Sequence, residues 1–385
     1  MKTFAVSIIE PVGGHGGMNY YDEGLASGLT EAGVQATVYT CDENVFHSNT
    51  FSVKPVFSRI YGPDPKILRA LRFVKGLLSA LRDSRRESAA IAHWHFFHLH
   101  NLELMCVFLS KLFKLRNVAT IHDVESFGAA NNRFSAGLLF TLVDGIIVHN
   151  LTTHTALLQR YPELRNRIHI IRHGNYLPFI KSKTTPCTSR MKLGLPDDKK
   201  ILLFFGQIKS VKGLDLLLLA LAKLVQSDKS YILVVAGKIW KDDITAYEKI
   251  IEEHALAPFI HLHLRYIPDE EVSTFYSAAD LVVLPYRKIF QSGVLLMAMS
   301  EGCNVLASDI PGMTEIITQG ETGFLFKSED VSALTSAISD VFSDSERKER
   351  IKNNALKMMQ EQYSWEKIGL ETRDFYMSQF ISDNC

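Results

Sequence analysis

The sequence predicts an α/β protein built from two doubly wound, parallel-sheet domains. Short apolar runs alternate with segments of helical period, the signature of successive βαβ units. The alternation stops at a polar, proline-containing stretch near the middle and then restarts. A length of 385 residues is enough for two or three ordinary domains, and 46% hydrophobic against 22% charged residues supplies sizeable cores. Lys plus Arg equals Asp plus Glu at 42 each, so the net charge is zero. That balance argues against a general nucleic-acid binder, which needs an excess of basic groups. The five cysteines are scattered without a C-x-x-C, and imply neither a disulfide framework nor a zinc site. A reducing compartment is the plain reading.

In chain order, the apolar run at 4–9 reads as a buried first strand. It is closed by Glu10 and is too short for a signal peptide. A helix follows over 18–31, with Met18, Tyr21, Leu25 and Leu29 on one face and Gly33 as its stop. Further strands are expected at 35–39, 91–94, 117–121, 145–148 and 168–171. Residues 181–190 are polar, carry a proline and have no period, so they read as a linker. The second set of strands falls at 201–205, 231–236, 260–264, 281–284 and 304–307, with helices between. Two Rossmann-like domains result, 1–180 and 191–363, with a last helix over 364–385 packing back on the first. No run of 18 uncharged apolar residues occurs, and even 214–225 is interrupted by Asp215 and Lys223. The expected location is the cytoplasm, with membrane contact only at the surface.

Several motifs sit where such sheets bind ligands. Pro11 to Gly17 (PVGGHGG) lies between the first strand and first helix. Its glycines let backbone approach a ligand, and the helix start offers N–H groups to an anion or sugar. The bland reading is a tight turn. Gly206-Gln207-Ile208-Lys209-Ser210-Val211-Lys212-Gly213 follows the first strand of the second domain, where two lysines beside glycines suit a diphosphate. Gln291, Ser292, Gly293 and Val294 open a late apolar helix whose N–H groups and dipole make a phosphate site, unless Ser292 is only an N-cap. The histidine-rich 92–100 invites a metal reading, but no carboxylate stands at ligand spacing. A strand end facing a cleft accounts for it. His261 and His263 share a face of a strand and read as structural.

Asp64-Pro65 is expected to cap a helix with Ile67, Leu71, Val74, Leu78 and Leu81 on one face. Lys66, Arg69, Arg72, Lys75, Arg82, Arg85 and Arg86 decorate the rest, against Asp83 and Glu87. A basic amphipathic helix suits an anionic lipid surface, at roughly 1 kcal/mol per basic side chain. The alternative is a core-packed helix with a solvated basic face.

These motifs together resemble the family-four glycosyltransferases of the GT-B fold. The resemblance rests on the glycine loop, Thr120-Ile121-His122-Asp123, the G-x-x-K-x-x-K-G run, Asp309-Ile310-Pro311-Gly312-Met313-Thr314-Glu315 and Gly320-Glu321-Thr322-Gly323-Phe324-Leu325. It spans residues 4–365. The family moves a sugar from a nucleotide-sugar to an acceptor, without metal or cofactor, in a cleft between two Rossmann-like domains. The resemblance implies Gly14, Gly16 and Gly17 near donor phosphates and acceptor, and His122 at a donor-sugar hydroxyl. It implies Gly206, Lys209, Lys212 and the start of the late helix on the diphosphate. Gln207 stands where many members carry arginine. The family's two glutamates, eight residues apart, are replaced by Ile289 and Met297. That Q-S-G-V-L-L-M-A version, with Arg172-His173-Gly174-Asn175-Tyr176, resembles a branch of bacterial polysaccharide-assembly transferases.

The expected function is transfer of a hexose from a UDP- or GDP-sugar to a glycan or lipid-linked acceptor, at the inner face of the plasma membrane. Lys66, Arg69, Arg72 and Lys75 would face that membrane. If the reaction inverts, His122, Asp123 and His15 are the candidate bases. The rival readings are an epimerase or phosphorylase on the same fold, and a non-catalytic partner subunit, the last motivated by the missing glutamates.

Overall fold

The computed structural model describes residues 4–13, 18–42, 48–97, 101–122, 133–180, 184–240 and 243–381. The chain divides into two compact units, one formed by Met1–Gly174 with Tyr363–Cys385 and the other by Asn175–Gln362.

In the first unit the order is β1 (Ala5–Ile9), α1 (Met18–Glu31), β2 (Gln35–Cys41), β3 (Ser52–Phe57), α2 (Lys66–Arg86), β4 (Ala89–Phe96) and α3 (Asn101–Leu112). It continues with β5 (Arg116–Ile121), α4 (Arg133–Leu142), β6 (Gly145–Val148), α5 (Leu151–Arg160) and β7 (Ile168–Ile170). The strands form one sheet in the order β3-β2-β1-β4-β5-β6-β7, and every pairing is parallel. Strands such as Ala5–Ile9 are buried along their whole length because helices cover both faces. Met18, Tyr21, Leu25 and Leu29 of α1 are all buried, and Gly33 ends that helix region at φ 83°.

The second unit runs α6 (Pro186–Leu193), β8 (Lys200–Phe205), α7 (Leu214–Ser227), β9 (Tyr231–Ala236), α8 (Thr245–Glu253), β10 (Ile260–His263) and α9 (Asp269–Ala278). Then come β11 (Leu281–Leu284), α10 (Gly293–Ser300), β12 (Val305–Ser308), α11 (Pro311–Thr314), β13 (Phe324–Phe326), α12 (Val331–Ser343) and α13 (Ser345–Gln362). Its sheet has the order β10-β9-β8-β11-β12-β13, again all parallel. Leu217, Leu221 and Leu224 of α7 pack on Leu202, Leu233 and Val283 from the strands in one core. The leucine-rich stretch is therefore a core helix. Among the described residues no helix is long and apolar enough to cross a membrane.

Both sheets reverse strand order at their first strand, at β1/β4 and at β8/β11. Such reversal points open a crevice at the carboxyl ends of the strands, where open α/β sheets bind ligands.

Two expectations are corrected. The linker read over 181–190 is in part α6: Thr185 Oγ1 accepts from Thr188 N–H at 3.2 Å, Pro186 takes the first helical position and Gly194 closes the helix at φ 66°. Arg190 pins α6 to its unit through Asp280 at 2.8 Å and the Ala278 carbonyl at 3.2 Å, so the second unit begins at Asn175. Nor does Asp64 cap α2, whose N-cap is Pro65 without a side-chain bond. Asp64 instead accepts from Arg72 at 2.5 Å and Arg59 at 3.2 Å, and the Arg72 hydrogen bond holds its carboxyl below the usual range.

The last helix, α14 (Trp365–Tyr376), packs on α1 of the first unit. A Cβ on Gly28 would overlap the Trp365 carbonyl, and one on Gly369 would overlap the Gly28 backbone. Two glycines thus bring the helices into backbone contact.

Candidate active site

In the first unit, histidines stand at consecutive strand ends: His93 and His95 on β4, then His122, His149 and His173 just after β5, β6 and β7. Tyr21 of α1 is their hub. Its ring lies 5.0 Å from His95, 4.9 Å from His122, 5.3 Å from His149 and 5.0 Å from His173, centroid to centroid. Trp365 closes the group at 5.3 Å, edge-on. His95 Nδ1 and His122 Nε2 share a hydrogen bond of 3.0 Å, and Phe97 stacks on His122 at 4.7 Å. His149 Nδ1 donates to the Ile171 carbonyl at 2.9 Å and His173 Nδ1 to the Gly174 carbonyl at 2.7 Å. Behind them His93 is held between Tyr376 Oη at 2.5 Å and Thr120 Oγ1 at 2.7 Å, which ties α14 to β4 and β5.

Burial sets the charge of this group. It pushes His93 and His149 down to about 3 and His173 to about 4, and holds His95 and His122 well below 6.5. All five imidazoles are neutral at physiological pH. Burial raises the neighbouring carboxyls, Glu10 to about 8 and Asp22 well above 3.8, and Glu10 adds to the rise of Asp22. Val12 N–H donates to one Glu10 oxygen at 2.5 Å, while the other is buried without a partner among the described residues. The arrangement offers neutral donors and acceptors, which suits a hydroxyl-rich ligand. Among the described residues no three His, Cys, Asp or Glu side chains are grouped to hold a metal ion.

In the second unit, β8 is followed directly by Gly206, whose φ of 98° favours glycine. A Cβ there would lie 3.2 Å from Lys212 Nζ and 3.1 Å from Val294 Cγ2. The loop's lysine and the start of α10 therefore converge on the end of β8. The loop is fastened by Arg287, which donates to Asp215 at 2.6 and 2.9 Å and to the Ser210 carbonyl at 2.7 Å. Gly213 closes it at φ 67°, where a side chain would overlap the Pro285 carbonyl. Lys212 is half-buried over Tyr286, 5.2 Å from the ring centre, and loss of water pushes its ammonium down to about 8.

Ser292 caps α10, its Oγ accepting from Leu295 N–H at 3.2 Å. The N–H groups of Gly293 and Val294 are left without intrahelical acceptors at the positive end of the dipole. Tyr176 lies over Gly293, where a Cβ would stand 2.9 Å from its hydroxyl. Gln291 is half-buried just outside the cap, and Lys209 Nζ lies 5.6 Å from the centre of the Trp240 ring.

Of the residues singled out in the sequence, Gly206, Lys212, Gly293 and Val294 gather at one strand end. His122 joins the histidine group instead of standing alone. Gly14, His15, Gly16, Gly17 and Asp123 lie outside the described residues. The basic face expected of α2 divides: Lys66 and Lys75 are exposed, Arg72 is paired with Asp64, and Arg69 lines a cavity. Its apolar face divides too, because Ile67 and Leu71 are 77% and 63% exposed, Val74 and Leu78 are half-buried and only Leu81 is buried. Tyr21, Glu10, Asp22, His149 and His173 were not among the site residues expected from the sequence. Glu10, His149 and His173 share one signal, a polar aromatic or acid just past a strand end, whereas Tyr21 and Asp22 lie within α1.

Residues 188–358 match the family model for glycosyl transferases group 1, and residues 15–175 that for Glycosyltransferase Family 4. A D-inositol 3-phosphate glycosyltransferase of Corynebacterium urealyticum is 23% identical over 95% of this chain and 91% of its own length. An uncharacterized glycosyltransferase of Methanocaldococcus jannaschii is 29% identical, but over 49% of this chain and 47% of its own, so the chain spans about half of that relative. Among solved structures, sucrose-phosphate synthase from Thermosynechococcus elongatus aligns with a TM-score of 0.76 at 19% identity, over 99% of this chain and 100% of that one. HepE of Anabaena in complex with UDP-glucose aligns at 0.75 and 17% identity, over 97% and 99%. The chain belongs to the family-four glycosyltransferases of GT-B fold.

Proposed function

We propose that the protein transfers a hexose from a UDP- or GDP-sugar to a glycan or lipid-linked acceptor in polysaccharide synthesis, without a metal ion. The observation that carries this reading is the meeting of Lys212 Nζ, Gly206 and the start of α10 at the end of β8. A cation and a helix N-terminus at one backbone-lined point suit a diphosphate. HepE, whose structures hold UDP and UDP-glucose, has the same fold.

In this reading the acceptor oxygen attacks the anomeric carbon as its bond to the diphosphate breaks. The electron pair leaves with the diphosphate, and Lys212, Lys209 and the N–H groups at Ser292-Gly293-Val294 stabilise the developing charge. The neutral His122 hydrogen-bonds a sugar hydroxyl. Its depressed basicity makes it a weak proton acceptor, which leaves Asp123 and His15 as candidates where a base is needed. Gln291 is the polar side chain left at the edge where Ile289 and Met297 replace the family's glutamates. Gly14, Gly16 and Gly17 complete the donor contacts. The working place is the cytoplasmic membrane surface, reached through Lys66 and Lys75.

Thermal unfolding in the presence of UDP-, GDP- and ADP-sugars tests the donor class, because a ligand that binds only the folded state raises Tm. A UDP- or GDP-sugar should do so, and Lys212→Ala should abolish the shift. No shift with any nucleotide-sugar would contradict the reading.

A further inference from the structure

We propose that a cavity in the first unit, between α2, α3 and the ends of β1 and β4, holds the hydrocarbon chain of a lipid-phosphate acceptor, with Arg69 on its anionic head. The cavity has a volume of about 490 Å³, within the size of small-molecule sites. Its inner wall is made of buried Phe57, Leu77, Trp94 and Phe96, and its outer rim of exposed Ala70 and Leu102. A glycan would leave these walls uncovered; a hydrocarbon chain covers them.

Arg69 lines the same cavity, and its Nε is buried without a hydrogen-bond partner among the described residues. A buried donor on a permanent cation calls for an anion. None of the nearby acids, Glu103 on the wall of the same cavity included, accepts a hydrogen bond from that Nε. Asp64 is taken by Arg59 and Arg72, and Asp83 by Lys54. Glu10 also lines the cavity, and with its carboxyl raised to about 8 it is mainly protonated at pH 7, so it does not repel an anionic ligand. The same two helices carry exposed apolar side chains, Ile67, Leu68 and Leu71 on α2 and Phe108 and Leu112 on α3. Exposed Lys66 and Lys75 stand among those of α2. Apolar side chains interleaved with cations match a surface of anionic lipid, from which a chain enters the cavity. A second copy of this chain would bring the same uncompensated cations.

The word acceptor rests on the transferase reading; binding of the lipid does not, and is measured without donor. Titration calorimetry with decyl phosphate, below its micelle concentration, should give one saturable site per chain. Its affinity should exceed that of inorganic phosphate and of 1-decanol by at least tenfold. Val74→Trp, which fills the cavity, should weaken decyl phosphate at least tenfold, and Ala70→Trp at the exposed rim does the same job if Val74→Trp does not fold. Arg69→Gln should weaken decyl phosphate about tenfold and leave 1-decanol unchanged. UDP affinity, read in the second unit, should be the same in all three variants. Decyl phosphate bound no more tightly than inorganic phosphate, affinity unaffected by either tryptophan, or self-association of the chain through this face would each overturn the proposal. Failure of UDP to bind would instead strike the transferase reading.

Discussion

Lys212 is held between two opposed effects. Burial over Tyr286 strips water from its ammonium and pushes it down to about 8, while a bound diphosphate would favour the charged form. Removing it with Lys212→Ala should cost about 1.5–3 kcal/mol of binding to UDP or GDP, roughly 10- to 150-fold in Kd by calorimetry. Because the bound anion prefers the protonated lysine, affinity should also fall as pH rises through about 8, and that dependence should vanish in the alanine variant. Unchanged affinity would remove Lys212 from the site. This lysine was legible because strand, glycines and lysines lie within one short run of sequence. Glu10, Asp22, His149 and His173 were not, since each comes from a different strand or helix and takes its character from burial that only the assembled sheet creates.

The contact between α1 and α14 depends on what two glycines lack. Gly369→Ala would drive a methyl into the Gly28 backbone, and overpacking of this kind costs about 1–3 kcal/mol. The urea midpoint should fall accordingly; an unchanged midpoint would mean the helices part without penalty. On α2, Lys66 and Lys75 are exposed beside exposed Ile67 and Leu71. Binding to anionic vesicles should weaken as salt shortens the Debye length from about 10 Å at 0.1 M to 3 Å at 1 M. Lys66→Glu with Lys75→Glu should release the protein, whereas equal sedimentation with neutral vesicles would favour a merely solvated face. Strongly periodic or wholly apolar elements were legible from sequence, α1 and β9 among them. Two others were not. β3 is an edge strand with Pro55 and a partly exposed pattern, so it shows no alternation. α6 is short and polar outside, and its only signal was the Thr185-Pro186 start.

At the scale of the molecule, the buried titratable groups of the first unit set a pH optimum of stability. An unfolded histidine titrates near 6.5, and the five folded ones refuse the proton until far lower pH. Below about pH 6.5 the unfolded chain therefore binds more protons, and stability falls with pH. Glu10 works the other way. Its carboxyl is raised from 4.5 to about 8, so its contribution is full below 4.5 and is lost as pH rises through 8. With Asp22 shifted in the same sense, the contributions balance at about pH 6.5–7, and each unmatched proton away from it costs about 1.4 kcal/mol per pH unit. Urea unfolding between pH 5 and 8 should trace this maximum. Glu10→Gln should flatten its alkaline side, steepen its acid side and move the maximum to higher pH, because Glu10 opposes the histidines throughout the interval from 4.5 to 8; an unaltered alkaline slope would mean that Glu10 is ionised in the folded protein.

Sugar transfer with lysines and a helix terminus in place of a metal can be followed as labelled hexose passing from UDP- and GDP-hexose onto a membrane lipid extract in excess EDTA. Labelled product and nucleotide diphosphate release should require the extract, persist in EDTA and be lost in Lys212→Ala. Turnover of donor without the extract, no turnover at all, or activity abolished by EDTA and restored by Mg²⁺ would contradict it.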